Sequence, residues 1–172
     1  MNITMKTQRK TKIYDFKSQE FIGKNGENIL DKWLGSIYKI LDVSTVKKYQ
    51  NSGIDRILMR PDGSTVSVEY KFDLASSRTG NLFFETVSVD NKNIPGWGWL
   101  SQAEYWIFLL PTMEVLVVEP GKMRNMIWCH RWELQEFYTT QANPYQQAEH
   151  QLFALLDYCN LEPILHQKVP GR

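Results

Sequence analysis

Asp55, Glu69 and Lys71 are the side chains in this 172-residue chain whose types and spacing suggest chemistry. Two carboxylates and an ammonium brought together can hold a hard dication, orient a water and stabilise negative charge growing on an attacked phosphorus. Whether they meet depends on the segment between them, which runs from Ile54 to Arg60, through Pro61-Asp62-Gly63, and on from Ser64 to Phe72. Pro fixes φ at the first turn position, Asp suits the second, and Gly accepts the left-handed conformation. The segment therefore predicts a β-hairpin with a three-residue loop and a G1 bulge. With Arg60 facing Ser64, Asp55 falls opposite Glu69, their Cβ atoms ~5 Å apart. Lys71 shares that face, while Val66, Val68, Tyr70 and Phe72 take the other face and the core.

Carboxylates so placed repel unless a cation lies between them, and Mg²⁺ suits an open sheet face because it keeps most of its waters and takes only one or two carboxylates. Mn²⁺ is expected to substitute. Lys71 would position or deprotonate the attacking water. The same three side chains also read as an exposed cross-strand charge cluster worth less than ~1 kcal/mol.

The elements that must position them follow from periodicity. Phe21, Ile22, Ile29, Leu30, Trp33, Leu34, Ile37 and Ile40 recur at three- and four-residue steps, predicting an amphipathic helix over 18–41 with Ser18 as N-cap. A short strand is expected over 42–50, then the hairpin, a strand over 81–87, a short helix over 96–104, strands over 105–110 and 114–119, and a helix over 121–128. Residues 132–138 and 144–158 read as further helices. The fold class is α/β (α+β), a central mixed sheet flanked by helices with a C-terminal helical extension. The chain divides into a basic arm (1–17), a core (18–128) and that extension (129–172), forming one domain.

Charge is uneven. Residues 1–80 carry 14 Lys and Arg against 9 Asp and Glu, a balance of +5, while residues 81–172 carry 6 against 10, a balance of −4. The first half would attract a polyanion. Arg9, Lys10 and Lys12 in the arm, with Lys24 and Arg78, are the candidate phosphate-binding residues. No apolar run reaches the ~20 residues that cross a bilayer, and the polar N-terminus lacks a signal-peptide core, so a cytosolic protein with no membrane partner is expected. Cys129, His130, His150 and Cys159 match no compact zinc spacing, and both cysteines are expected to be free thiols.

Gly53-Ile54-Asp55, a hairpin and Glu69-Tyr70-Lys71 together resemble the G-[IV]-D…E-x-K core of the PD-(D/E)xK, restriction-endonuclease-like nucleases. Gly23-Lys24-Asn25-Gly26-Glu27 is similar to the G-x-x-G-E form on their first helix. Thr79-Gly80-Asn81 followed by Leu82-Phe83-Phe84-Glu85, and Ala103-Glu104-Tyr105-Trp106, resemble stretches of phage and bacterial members, with Glu104 in place of the usual Asp. The resemblance covers roughly residues 20–120. It implies a metal held by Asp55, Glu69 and the Tyr70 carbonyl, Glu27 reaching it through water, and Gln102 completing the catalytic set. It also implies DNA as substrate and a symmetric homodimer; with no obvious recognition helix for the major groove, structure-specific cutting of the Holliday-junction-resolvase kind or nicking is expected over restriction of a defined site. Apart from the resemblance, Glu85 reads as an outward-facing surface residue in preference to a further neighbour of the metal site, and Trp97-Gly98-Trp99 as either packing or a base-stacking platform. The alternative to an enzyme is a catalytically inactive nucleic-acid-binding or scaffold subunit of the same fold.

Overall fold

The Pro61-Asp62-Gly63 turn forms as its residue types dictate. In the computed structural model Gly63 has φ of +84°, its N–H bonds to Arg60 O at 2.9 Å, and Arg60 N–H bonds to Ser64 O at 2.8 Å. The model describes residues 16–74, 76, 80–89, 92–131, 136–141, 149–157 and 165–169.

In chain order the described elements are α1 (Phe16–Leu34), β1 (Lys39–Asp42), α2 (Lys47–Gln50), β2 (Arg56–Met59), β3 (Thr65–Phe72), β4 (Asn81–Val89), β5 (Ile94–Pro95), α3 (Trp97–Leu100), β6 (Tyr105–Leu109), β7 (Glu114–Val118), α4 (Pro120–His130), β8 (Glu136–Gln141), β9 (Glu149–Asp157) and β10 (Leu165–Lys168). The architecture is α+β. A six-stranded mixed sheet has the order β1-β2-β3-β6-β7-β10, with β3 and β6 parallel and its other pairs antiparallel. A second, antiparallel sheet has the order β5-β4-β9-β8.

Alternation along the strands of the first sheet divides two cores. Val66, Val68 and Tyr70 of β3 pack with Leu58, Ile107, Leu109 and Val115 beneath Leu30 and Leu34 of α1. Trp106, Phe108, Leu116 and Val118 point the other way and pack with Leu82 and Phe84 of β4 and with Met123 and Ile127 of α4. Both faces of the central strands are thus covered, which is why Tyr105–Leu109 reads as an unbroken apolar run.

Three sequence expectations are corrected. The first helix ends at Leu34, not residue 41. A side chain at Gly35 would stand 2.8 Å from Asp31 O, and the apolar residues beyond it belong to β1, with Ile40 paired to Leu58. Ser18 lies inside the helix rather than at its cap. The strand expected over 42–50 is instead the end of β1 followed by α2.

The C-terminal extension is not helical where it is described. Residues 136–141, 149–157 and 165–168 are strands: β9 pairs with β4, β8 with β9, and β10 closes the far edge of the first sheet against β7. The run Gln151 to Asp157 carries a pattern that either element tolerates, and the unpaired edge of β4 decides between them by offering backbone partners. Among the described residues, no helix is long and apolar enough to cross a membrane.

Candidate active site

The hairpin ladder runs from Arg56 opposite Val68 to Met59 opposite Thr65, the register expected from the turn. Asp55 departs from it. Its N–H bonds to Val68 O at 2.9 Å, one residue short of Glu69, so the chain leaves the ladder here as at a bulge and Asp55 is not the direct cross-strand partner of Glu69. Its carboxylate turns along the sheet edge instead, where Oδ2 accepts the Tyr70 N–H at 2.8 Å. A strand residue's N–H and C=O point to the same side, so the Tyr70 carbonyl faces the same edge, just past the start of β2.

Asp55 is held by the turn before it. Gly53 has φ of +59°, and a side chain there would stand 3.1 Å from the Ser101 Cα. Both facts demand glycine. Ser101 Oγ donates to Gly53 O at 3.2 Å and accepts the indole N–H of buried Trp106 at 2.9 Å. The backbone of Gln102 adds a bond to Ser52 O at 2.7 Å. The residues just before β6 thereby clamp the entry to Asp55.

Glu69 and Lys71 share one face of β3, where β4 and α3 cover them. Glu69 is only 5 % exposed, so the half-exposed charge cluster expected from sequence is instead largely enclosed. Lys71 Nζ lies 2.5 Å from Glu69 Oε1 and 4.1 Å from the centroid of the Trp97 ring. Glu69 Oε2 is buried and has no hydrogen-bond partner. A buried carboxylate oxygen left so is costly unless something else meets it.

Glu27 lies on α1 near the Asp55 side of this cluster. It lines a cleft of about 60 Å³ together with Gly23, Gly26, Leu30, Tyr70, Lys71 and Phe72. Gly26 allows this approach, because a side chain there would stand 2.9 Å from the Cβ of Phe72. Glu27 Oε2 accepts from Lys24 Nζ and Arg56 Nη2, each at 2.8 Å.

Glu85 lies near Glu69 and Lys71, the less favoured of its two sequence readings. It is 8 % exposed rather than facing solvent, because the loop ahead of α3 folds back on it: Gly96 is pressed against its backbone and Cγ, and the Trp97 N–H donates to its Oε2 at 2.9 Å. Burial pushes the Glu85 carboxyl above its ordinary range. The charge of Glu69 adds to that rise, while the Trp97 bond and Lys71 oppose it. Asp55 is raised in the same way, by burial first and then by the charges of Glu69 and Glu27, against the Tyr70 N–H and Lys71. The sequence signal available for Glu85 was Gly96-Trp97-Gly98, where a side chain on Gly98 would enter the Phe84 ring.

One pattern runs through the four carboxylates. Glu27, Asp55, Glu69 and Glu85 are each anchored through a single oxygen, to Arg56 and Lys24, the Tyr70 N–H, Lys71, and the Trp97 N–H respectively. Of the second oxygens, Glu69 Oε2 is the one that is buried without a partner among the described residues. The donor set of Asp55, the partnerless Glu69 oxygen and the Tyr70 carbonyl fits Mg²⁺, which takes few protein oxygens and completes its shell with water. Among the described residues, no group of three or more His, Cys, Asp and Glu side chains stands at metal-ligand spacing.

The other sequence candidates are placed less closely. Gln102 is exposed in the segment between α3 and β6, and its bond to Ser52 is made by its backbone. Lys24 is exposed but paired with Glu27, and its Nζ is 3.9 Å from Asp42. Arg9, Lys10, Lys12 and Arg78 lie outside the described residues. Trp97 packs against Phe84, Trp106 and Phe108, and Trp99 stands edge-on to Phe84, so both rings serve packing here. Glu104 holds β3 to the start of β6, its Oε2 accepting the Ser67 N–H at 2.7 Å. Comparison with protein-family models, with curated proteins and with solved structures returns no match to this chain.

Proposed function

We propose that this chain is a Mg²⁺-dependent endonuclease with a restriction-endonuclease-like core, hydrolysing phosphodiester bonds of DNA by structure-specific cutting or nicking. The observation that carries this reading is the Asp55, Glu69, Tyr70 and Lys71 arrangement: two carboxylates with oxygens to spare, a carbonyl on the same sheet edge, and an ammonium locked beside one of them.

Mg²⁺, when bound, supplies a more acidic water and neutralises charge on the phosphorus centre. The chain's own residues do the rest. Asp55, Glu69 and the Tyr70 carbonyl would hold the dication, and Glu27 would reach it through a water. Lys71 would position the attacking water and stabilise the charge that develops. The cover formed by β4 and α3 keeps bulk water from the Lys71 side, where electrostatic effects are stronger for it. Gln102, at the rim, contacts substrate. Lys24 and the basic arm hold the phosphate backbone, which positions DNA without reading its sequence.

The alternative, an inactive binding or scaffold subunit, draws on one observation, the direct Lys71–Glu69 ion pair, which neutralises both groups. One assay separates the two: cleavage of supercoiled plasmid, linear duplex and four-way junction DNA with Mg²⁺ or Mn²⁺, for the native chain, Asp55→Ala and Lys71→Ala. The nuclease reading expects metal-dependent cutting that both substitutions abolish. No cutting of any substrate, with DNA binding unchanged in both variants, overturns it.

A further inference from the structure

Arg56 follows Asp55 in the sequence yet faces α1 and lies over the Tyr70 ring, 5.3 Å from its centroid. It is 1 % exposed, and its guanidinium uses all of its nitrogens. Nε donates to both carboxylate oxygens of Asp31 at 3.1 Å, and Nη2 to Asp31 Oδ2 at 2.9 Å and Glu27 Oε2 at 2.8 Å. Nη1 donates to Asp42 Oδ1 and to the backbone carbonyl of Asp55, both at 3.0 Å. One side chain therefore ties α1, β1 and the entry to β2 together. Burial works against its charge, and the bonds to Asp31 and Glu27 outweigh that effect and raise its pKa.

Stability alone does not account for this arrangement. A buried ion-pair network is often no more stabilising than apolar residues of the same volume, because each charge must be stripped of water. Three carboxylates also converge here on one guanidinium and one exposed ammonium, that of Lys24, which leaves a formal excess of negative charge beside the cleft. Among the groups that Arg56 joins are the Glu27 carboxylate and the main chain of Asp55, both of which belong to the candidate site. It holds Glu27 through Oε2, and Glu27 lines the cleft.

We propose that Arg56 is a positioning residue: it fixes the Glu27 carboxylate relative to Asp55 so that Glu27 receives a water of a hydrated divalent cation. The inference rests on the metal-dependent reading above. A lysine keeps the charge at this position but cannot make the forked contacts that hold Glu27 and Asp31 at once.

The test is Mn²⁺ binding without DNA, by calorimetry and by the electron paramagnetic resonance signal of the free ion, for the native chain, Arg56→Lys, Glu27→Gln and the double variant. Loss of an outer contact to a metal typically weakens affinity about 10- to 100-fold. Arg56→Lys and Glu27→Gln are each expected to weaken binding to that degree, and the double variant no further than either alone. A merely structural arginine would lower the melting temperature without this non-additivity. If Arg56→Lys does not fold, Asp31→Asn takes its place, since it loosens the bidentate anchor while leaving Arg56 and Glu27 present, and the same non-additivity with Glu27→Gln is expected. Folded variants that bind Mn²⁺ like the native chain, or a double variant that multiplies the two single effects, overturn the role of Arg56 alone. A native chain that binds no Mn²⁺ overturns the metal-dependent reading and this inference with it.

Discussion

The Lys71 ammonium stands over the face of Trp97, 4.1 Å from the ring centroid, while its partner Glu69 lies beside it in the same strand. A cation over an aromatic face gains on the order of 0.5–2 kcal/mol, more when it is shielded from water. Trp97→Leu is therefore expected to lower the DNA-cleavage rate about tenfold without changing DNA binding, and Trp97→Phe to retain most of the native rate. Comparing kcat and KM for the two variants checks this. Equal losses in both would remove the ring face from the account of Lys71.

Gly23 and Gly26 lie three residues apart in one helix and should respond oppositely to alanine. Nothing stands within 4 Å of a side chain built on Gly23, so Gly23→Ala is expected to stabilise the fold by about 0.5–1 kcal/mol through helix propensity. A side chain on Gly26 meets the Cβ and Cγ of Phe72 at 2.9 Å, the stiff root of that residue rather than its tip. Overpacking of about 1–3 kcal/mol then exceeds the propensity gain, and Gly26→Ala is expected to destabilise. Urea denaturation of both variants reads the two signs directly.

Ser101→Ala removes the acceptor for the Trp106 indole N–H and the donor to Gly53 O. Leaving a buried N–H without a partner costs about 1–3 kcal/mol. The expected result is a loss of stability in that range together with weaker Mn²⁺ binding, since the Gly53 turn carries Asp55. Unchanged metal affinity would show that the turn keeps its place without the clamp.

Glu85 gives a pH dependence whose sign can be worked out. Its folded pKa is raised, chiefly by burial, so the folded chain holds this proton more tightly than the unfolded one does. The contribution is present below the ordinary glutamate value of 4.5 and is lost as pH rises through the elevated folded value. Glu85→Gln, which keeps an oxygen for the Trp97 N–H, removes that dependence. Its stability relative to the native chain should therefore improve from pH 4 toward pH 7 in urea titrations. A difference that stays flat or falls would contradict the enclosure of Glu85.

What could be read from the sequence was local. The β2–β3 register follows from Pro61-Asp62-Gly63 because turn chemistry acts over a few residues, and the placing of Glu69 and Lys71 on one face needs only the alternation of a strand. For Asp55 the hairpin predicts the neighbourhood but not the contact, since a departure from the ladder at its first residue depends on Ser101 and Trp106, far along the chain. For Glu85 the sequence favours the surface over a place beside the site for a similar reason: its cover is supplied by Gly96 and Trp97, not by its own strand. The strands after residue 135 were hidden because segments such as Gln151 to Asp157 become strands only when β4 offers an edge. Arg56 enters the sequence only as one of the 14 basic residues of the first half, and its position between α1 and β1 shows that its charge is already engaged.

The parallel pairing of β3 with β6 has a consequence for the order of assembly. β3 meets β2 through a short turn, a contact that closes in microseconds, but it meets β6 only after the chain has travelled out through β4 and α3 and returned. The acidic and basic groups of the hairpin therefore come together on a nascent chain well before Trp97 and Glu85 arrive to enclose them. Reactivity of the Lys71 amine toward a water-soluble acylating reagent, sampled during refolding, should start high and drop when β6 docks, making this one lysine a clock for that step.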